Sequence, residues 1–367
     1  MRWRLLLSAV AMAPAVDAAT MLRFSCSQLV VERLDPLVNP GMIPSPHLHQ
    51  VVGGNGFNAT MDAARADLPS VATCTTCTPA EDFSNYWTAV MFFKARNGSY
   101  HRVSTMGNPL GFTAAAGGQT IYYLQATGTD NKVTAFRPGF RMTVGDPGFR
   151  SAAQIKKCKS PTIIDIFVLP FFTPFLPNPQ LTYTCLQTGS TRGGETTSFP
   201  TKPCKVGIMV SIRFPTCWDG QNLDSPDHQS HVAYPANSGP SGGGVCPATH
   251  PVRIPQVFYE TIWNTAPFND KSLWPDKSGE QPFVWSFGDA TGYGSHGDYV
   301  FGWKGDALQR AMDSGCSSDL LGNNINCPTL KAQTIQQGNK CVKEVTVREN
   351  LDGWLSELPG GMAVTHG

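Results

Sequence analysis

Glycine and proline fill 36 and 29 of the chain's 367 positions and recur along its whole length. Proline removes a backbone donor and fixes φ, and glycine is the costliest residue to order, so long helices do not survive such punctuation. Short strands joined by turns do. Segments rich in β-branched and aromatic residues lie between the breakers: Trp87–Lys94, Ser99–Ser104, Thr120–Ala126, Val133–Val144, Val206–Phe214, Pro251–Trp263, Gln281–Phe287 and Val345–Val347. Asn97-Gly98 between the first two is a hairpin signal. The expected helices are Asp306–Ser314, with Asp306 as N-cap and Gln309 at the capping-box position, and a weaker one over Thr60–Asp67. Pro170–Pro179, with four prolines, reads as a rigid irregular loop. The fold class expected is mainly β: an antiparallel β sandwich, jelly-roll-like, with long disulfide-pinned loops and few short helices.

The N-terminus reads Met-Arg-Trp-Arg, then an apolar run from Leu5 to Ala13, then small residues to Ala19. That is the pattern of a secretory signal peptide over residues 1–19, leaving 20–367 as a single globular domain. The apolar run is too short to span a bilayer, and no membrane span is expected. Eleven cysteines in a secreted chain imply disulfides, with at least one cysteine left over. Cys74-Thr-Thr-Cys77 is read as part of one or two such bridges, since no second pair completes a zinc site. Asn58-Ala-Thr60 and Asn97-Gly-Ser99 are glycan acceptor motifs. Setting aside Arg2, Arg4 and Asp17 leaves 26 basic and 26 acidic residues, with no surplus to attract nucleic acid or an anionic membrane.

Five of the eight histidines fall in three short segments: His47-Leu48-His49, Asp224-Ser-Pro-Asp-His-Gln-Ser-His231, and His296-Gly297-Asp298. In a strand, residues i and i+2 share a face, so His47 with His49 and His296 with Asp298 can each converge. Gly53 and Gly54 would admit a substrate or another backbone. In the second segment Ser-Pro-Asp favours a turn, so Asp224 is the residue expected to hold it, while Asp227 and His231 are held to be functional. Cys217-Trp218 is expected to pin that loop. Tyr293, Tyr299, Phe301 and Trp303 offer aromatic faces. Each pattern also has a structural reading as solvated histidines, turn-forming carboxylates or core packing. His101, His250 and His366 are isolated and read as surface residues.

Four long motifs carry a resemblance. They are Phe24–Gly41 (FSCSQLVVERLDPLVNPG), Ser45–Gly54 (SPHLHQVVGG), Cys217–Pro235 (CWDGQNLDSPDHQSHVAYP) and Gly288–Trp303 (GDATGYGSHGDYVFGW). Together they resemble the DUF1996 family of secreted, largely fungal proteins, over nearly the whole mature chain. The resemblance implies an extracellular location and one large domain. It implies little chemistry. Family relatives often add a cell-wall-binding (WSC) module, which this sequence lacks, as expected of a freely secreted form.

Three functions are expected to compete. The first is a carbohydrate-active hydrolase or lyase on an extracellular polysaccharide, requiring no cofactor. Its catalytic candidates are Asp227, His231, His296, Asp298 and His49, with Asp224 and Asp289 in reserve, and Tyr293, Tyr299, Trp303 and Trp218 to bind sugar. Paired carboxylates are what glycoside hydrolysis needs, and a base with a proton donor (His231, His296, Tyr299) is what a lyase needs. The second is a copper or zinc site built from His47, His49, His231 and His296, with Asp298 as ligand or supporting partner. The third is a non-catalytic wall-binding or stress-sensing module.

Overall fold

The computed structural model describes residues 20–62, 67–108, 116–125, 132–157, 180–189, 192–236, 242–276, 280–314, 316 and 327–366. The expected signal peptide, the proline-rich loop and part of the Thr60–Asp67 segment lie outside them. The architecture is mainly β. A seven-stranded sheet runs in the order Thr20–Cys26, Gln119–Gln125, Gln256–Trp263, Gly207–Arg213, Leu181–Leu186, Arg192–Thr196, with Thr105–Met106 also paired to Gln256–Trp263. A five-stranded sheet is formed by β1 (Gln28–Glu32), β2 (His49–Gly53), β3 (Asn85–Ala89), β4 (Arg141–Gly145) and β5 (His296–Val300), in the order β1-β2-β3-β5-β4. All pairings within both sheets are antiparallel.

The two sheets pack face to face. Gly297 on β5 lies against Ile212 and Phe214 of the opposite sheet, and Tyr259 donates its hydroxyl to the Asp298 carbonyl at 2.8 Å. The core between them is aromatic and threaded by a hydroxyl chain. Tyr86 donates to Asp82 Oδ2 at 2.6 Å and shares a hydrogen bond with Tyr123 at 2.7 Å, which in turn meets Tyr299 at 2.9 Å. Trp303 donates its indole N–H to Tyr123 at 3.0 Å. Buried polar groups are costly unless paired, and these hydroxyls pair with one another.

Strand alternation then puts His296, Asp298 and Val300 on the outer face of β5. That face is not left to solvent. Leu34, Leu37, Val51, Phe57, Trp87 and Val300, with others, form a second apolar cluster.

Several sequence expectations differ in detail. The Trp87–Lys94 segment divides at Val90, so Asn85–Ala89 and Met91–Lys94 join different sheets. The Asn97-Gly98 hairpin forms, linking Met91–Lys94 to Tyr100–Arg102. Val345–Val347 is not a strand. The helix over Ala307–Asp313 forms, but Asp306 makes no capping bond to it; its carboxylate pairs instead with Arg310 one turn on. The capping box lies elsewhere, where Thr334 and Gln337 bond reciprocally.

Five disulfides join ten cysteines: Cys26–Cys77, Cys74–Cys341, Cys185–Cys204, Cys217–Cys246 and Cys316–Cys327. The eleventh, Cys158, lies outside the described residues. Cys74 and Cys77 thus enter two separate bridges. Among the described residues no helix is long and apolar enough to cross a membrane. The C-terminal segment is fastened back across the molecule. Lys343 Nζ meets the fully buried Glu32 carboxylate at 2.6 Å, and Glu349 is bound by both Nε and Nη2 of Arg33.

Candidate metal centre

Three histidines meet where β2 and β5 begin. One nitrogen from each of His47, His49 and His296 lies within 4.8 Å of the others, and all three residues are buried, at 8%, 0% and 6% exposure. The rings of His47 and His49 stand 4.4 Å apart between centroids, although His47 lies in a bend before the strand that begins at His49. His47 Nε2 lies 3.2 Å from His296 Nε2.

The surroundings fix how the rings are presented. His49 Nδ1 donates to the Leu34 carbonyl at 2.9 Å, and His296 Nδ1 donates to the Gly294 carbonyl at 3.1 Å. Because a carbonyl can only accept, both rings carry their proton on Nδ1 and turn a bare Nε2 inward. His49 Nε2 is buried with no hydrogen-bond partner. In an ion-free trio only His47 has an Nε2 proton to give, and His296 takes it. One lone pair is therefore left unsatisfied, which costs free energy in a dry setting.

Local structure accounts for the placement. Ser286 Oγ and the Val90 N–H both bind the Leu48 carbonyl between His47 and His49. Asp289, fully buried, accepts from the Thr291 and Gly294 N–H groups and so shapes the loop that presents Gly294 to His296. Phe287 packs 5.2 Å from both His47 and His296. Gly145 stands opposite His296 with φ +87, and a Cβ there would sit 2.3 Å from the Ser295 carbonyl oxygen. Gly53 and Gly54 also admit a backbone, that of Phe83 and Ser84, rather than a substrate.

Burial sets the protonation. It pushes His49 and His296 down to about 4. His47 falls well below the ordinary value, by burial first and then by its two neighbours. All three are neutral imidazoles at neutral pH, the form that binds metals. Two carboxyls adjoin them. Asp298 is buried, with Oδ2 unpartnered, and burial followed by Asp35 raises it well above the carboxylate range. Asp35 is raised by burial against hydrogen bonds from the Val38 and Leu37 N–H groups.

The Asp224–His231 segment reaches the same face from its β4 side. Gln229 bonds the Thr143 hydroxyl at 3.2 Å, and Thr143 is the register partner of Asp298. The roles within it are exchanged relative to expectation. Asp227 is exposed and holds the turn, accepting from Ser225, Gln229 and Ser230. Against desolvation, those bonds together hold its carboxyl far below the ordinary range. Asp224 instead binds His228 Nδ1 at 2.7 Å and lies 3.9 Å from Arg141. His228, at φ 55, is raised first by that hydrogen bond and also meets the Leu37 carbonyl.

His231 does not join the histidine trio. Its Nδ1 meets Ser225 Oγ at 2.8 Å and its Nε2 meets the Arg141 carbonyl at 2.8 Å, so both nitrogens are spent on holding the loop. The Gly294 carbonyl, not Asp298, orients His296. The expected sugar platforms are mostly unavailable: Tyr299, Trp303 and Trp218 are 0%, 2% and 2% exposed, consumed by the core, and only Tyr293 is half-buried. Trp218 and Cys217 do pin the loop, through packing on Phe140 and the bridge to Cys246. Leu34, Gly294 and Asp35 escaped the sequence reading of the site. The first two act through backbone carbonyls, which leave no residue-type signal.

The span carrying all these groups except Leu34, residues 35–303, matches a family model described as a domain of unknown function, DUF1996. The chain belongs to the DUF1996 family. Every histidine of the DUF1996 trio, with Asp35, Asp224, His228 and Asp298, lies within the matched span. No curated protein matches the chain, and no solved structure does.

Proposed function

We propose that this DUF1996 protein is an extracellular metalloprotein that holds one copper or zinc ion on His47, His49 and His296. The observation that carries the proposal is the buried, unpartnered Nε2 of His49, facing two other imidazole nitrogens. Tetrahedral coordination at about 2.0–2.1 Å places ligand nitrogens roughly 3.3 Å apart. The His47–His296 pair already stands at 3.2 Å. An all-imidazole set suits copper and zinc above the harder cations. Three protein ligands would leave a coordination position for water or substrate, where such an ion acts as a Lewis acid or, if copper, in electron transfer.

The protein's own contribution is orientation and dryness. Leu34 and Gly294 fix two tautomers, and burial of all three rings, with Phe287 packed on two of them, restricts water. The five disulfides suit an oxidising compartment, which supports the extracellular reading. A two-carboxylate glycosidase is less well supported, since Asp227 is committed to its turn.

Elemental analysis of protein purified without metal-affinity resin tests the proposal. About one copper or zinc per chain is expected, lost in His49→Ala and His296→Ala. Folded protein that neither carries nor takes up either ion would refute it.

A further inference from the structure

A second site lies on a different sheet. A surface pocket of about 280 Å³ is lined by His101, Arg102, Ser104, Asn264, Phe268 and Trp354, among others. Trp354 is 51% exposed, although large aromatic side chains are usually buried. Its position is fixed rather than loose. Trp354 pairs in register with His101, and its ring meets the edges of His101 at 5.2 Å and Phe93 at 6.3 Å.

The polar lining is unspent. Among the described residues, the Ser104 hydroxyl and the Asn264 amide make no protein hydrogen bond. His101 Nδ1 donates to the Arg102 carbonyl at 2.9 Å, which leaves its Nε2 as a free acceptor. The one charge is already neutralised, because Arg102 Nη2 binds Asp352 at 2.5 Å. A rigid aromatic face, a rim of donors and acceptors and no uncompensated charge suit a neutral polyhydroxylated ring. The C–H face of a pyranose is apolar and its edge is hydroxyl.

We infer that this pocket is a glycan-binding subsite in which Trp354 stacks on one pyranose ring while Asn264, Ser104 and His101 bind its hydroxyls. The inference is independent of the metal centre, shares no residue with it, and draws Trp354 from beyond the span matched by the family. It relocates sugar recognition from Tyr293, Tyr299, Trp303 and Trp218 to a tryptophan the sequence does not single out.

Tryptophan emission and calorimetry would be recorded on the full mature chain titrated with cellotetraose, chitotetraose and laminaritetraose. At least one should give a saturable response. Trp354→Ala should weaken it about tenfold or more, as loss of a central aromatic anchor does. Trp354→Phe should retain most of the affinity, and Asn264→Ala should weaken it with unchanged thermal unfolding. No saturable response to any of the three, or unchanged affinity in Trp354→Ala, overturns the inference.

Discussion

His47 and His296 bring their Nε2 atoms to 3.2 Å across 249 residues of chain. The contact joins the segment entering one strand to the first residue of another two places away in the sheet. A pair so distant in sequence and so close in space depends on the register of the whole five-stranded sheet.

Metal should therefore stabilise the native state in proportion to its affinity. Free ion at 100 times its Kd is worth about 2.7 kcal/mol. A rise in melting temperature is expected with copper or zinc, reversed by chelation and absent in His49→Ala. His231→Ala should keep the metal-induced rise while losing about 1–3 kcal/mol of basal stability, since two buried hydrogen bonds go with it.

Asp82 gives a pH dependence of its own. Burial raises it from 3.8 to about 7, against hydrogen bonds from Ser84 and Tyr86. Between those values the folded state holds a proton that the unfolded state has released. Its stabilising contribution is complete at acid pH and is lost as pH rises toward 7, with a slope of at most about 1.4 kcal/mol per pH unit. Denaturant unfolding across that window should show Asp82→Asn with a flatter profile than the parent.

Asp224 and Asp227 can be told apart. Asp224→Asn should lower the His228 titration midpoint, read by NMR of its ring protons, because that carboxylate is the first cause of its raised value. A raised His228 adds stability below its unfolded pKa, and this is lost as pH climbs through the folded value. Asp227→Ala should leave the midpoint nearly in place and cost about 1 kcal/mol through the opened turn.

Removing the Cys217–Cys246 bridge, which closes 29 residues, should cost about 2–4 kcal/mol. Calorimetry of the double serine variant checks this. The His228 midpoint should fall with it, as the loop loses its anchor.

The sequence made the fold class legible because alternation and turn residues act locally. Six of the eight expected strand segments appear as strands at or near their places, whereas Val133–Val144 is a strand only from Arg141 and Val345–Val347 is none. The i, i+2 spacing also brought out the pairing of His47 with His49. What stayed hidden depended on three-dimensional closure. Nothing in Asp224-Ser-Pro-Asp227 says which carboxylate closes the turn; the hydrogen bonds of the folded loop assign it to Asp227. Tyr299 and Trp303 look like exposed platforms only until the second sheet is laid over them.

The strap from Lys343 to Glu32 bears on where this protein can be cut. The family match ends at Trp303, but Glu32, on the first strand of the histidine-bearing sheet, takes its buried cation from forty residues further on. Leaving such a charge alone costs about 3–5 kcal/mol, and truncation of the chain after Trp303 would also strand Cys74 without Cys341. The stretch that is recognisable by descent is shorter than the stretch that must melt together.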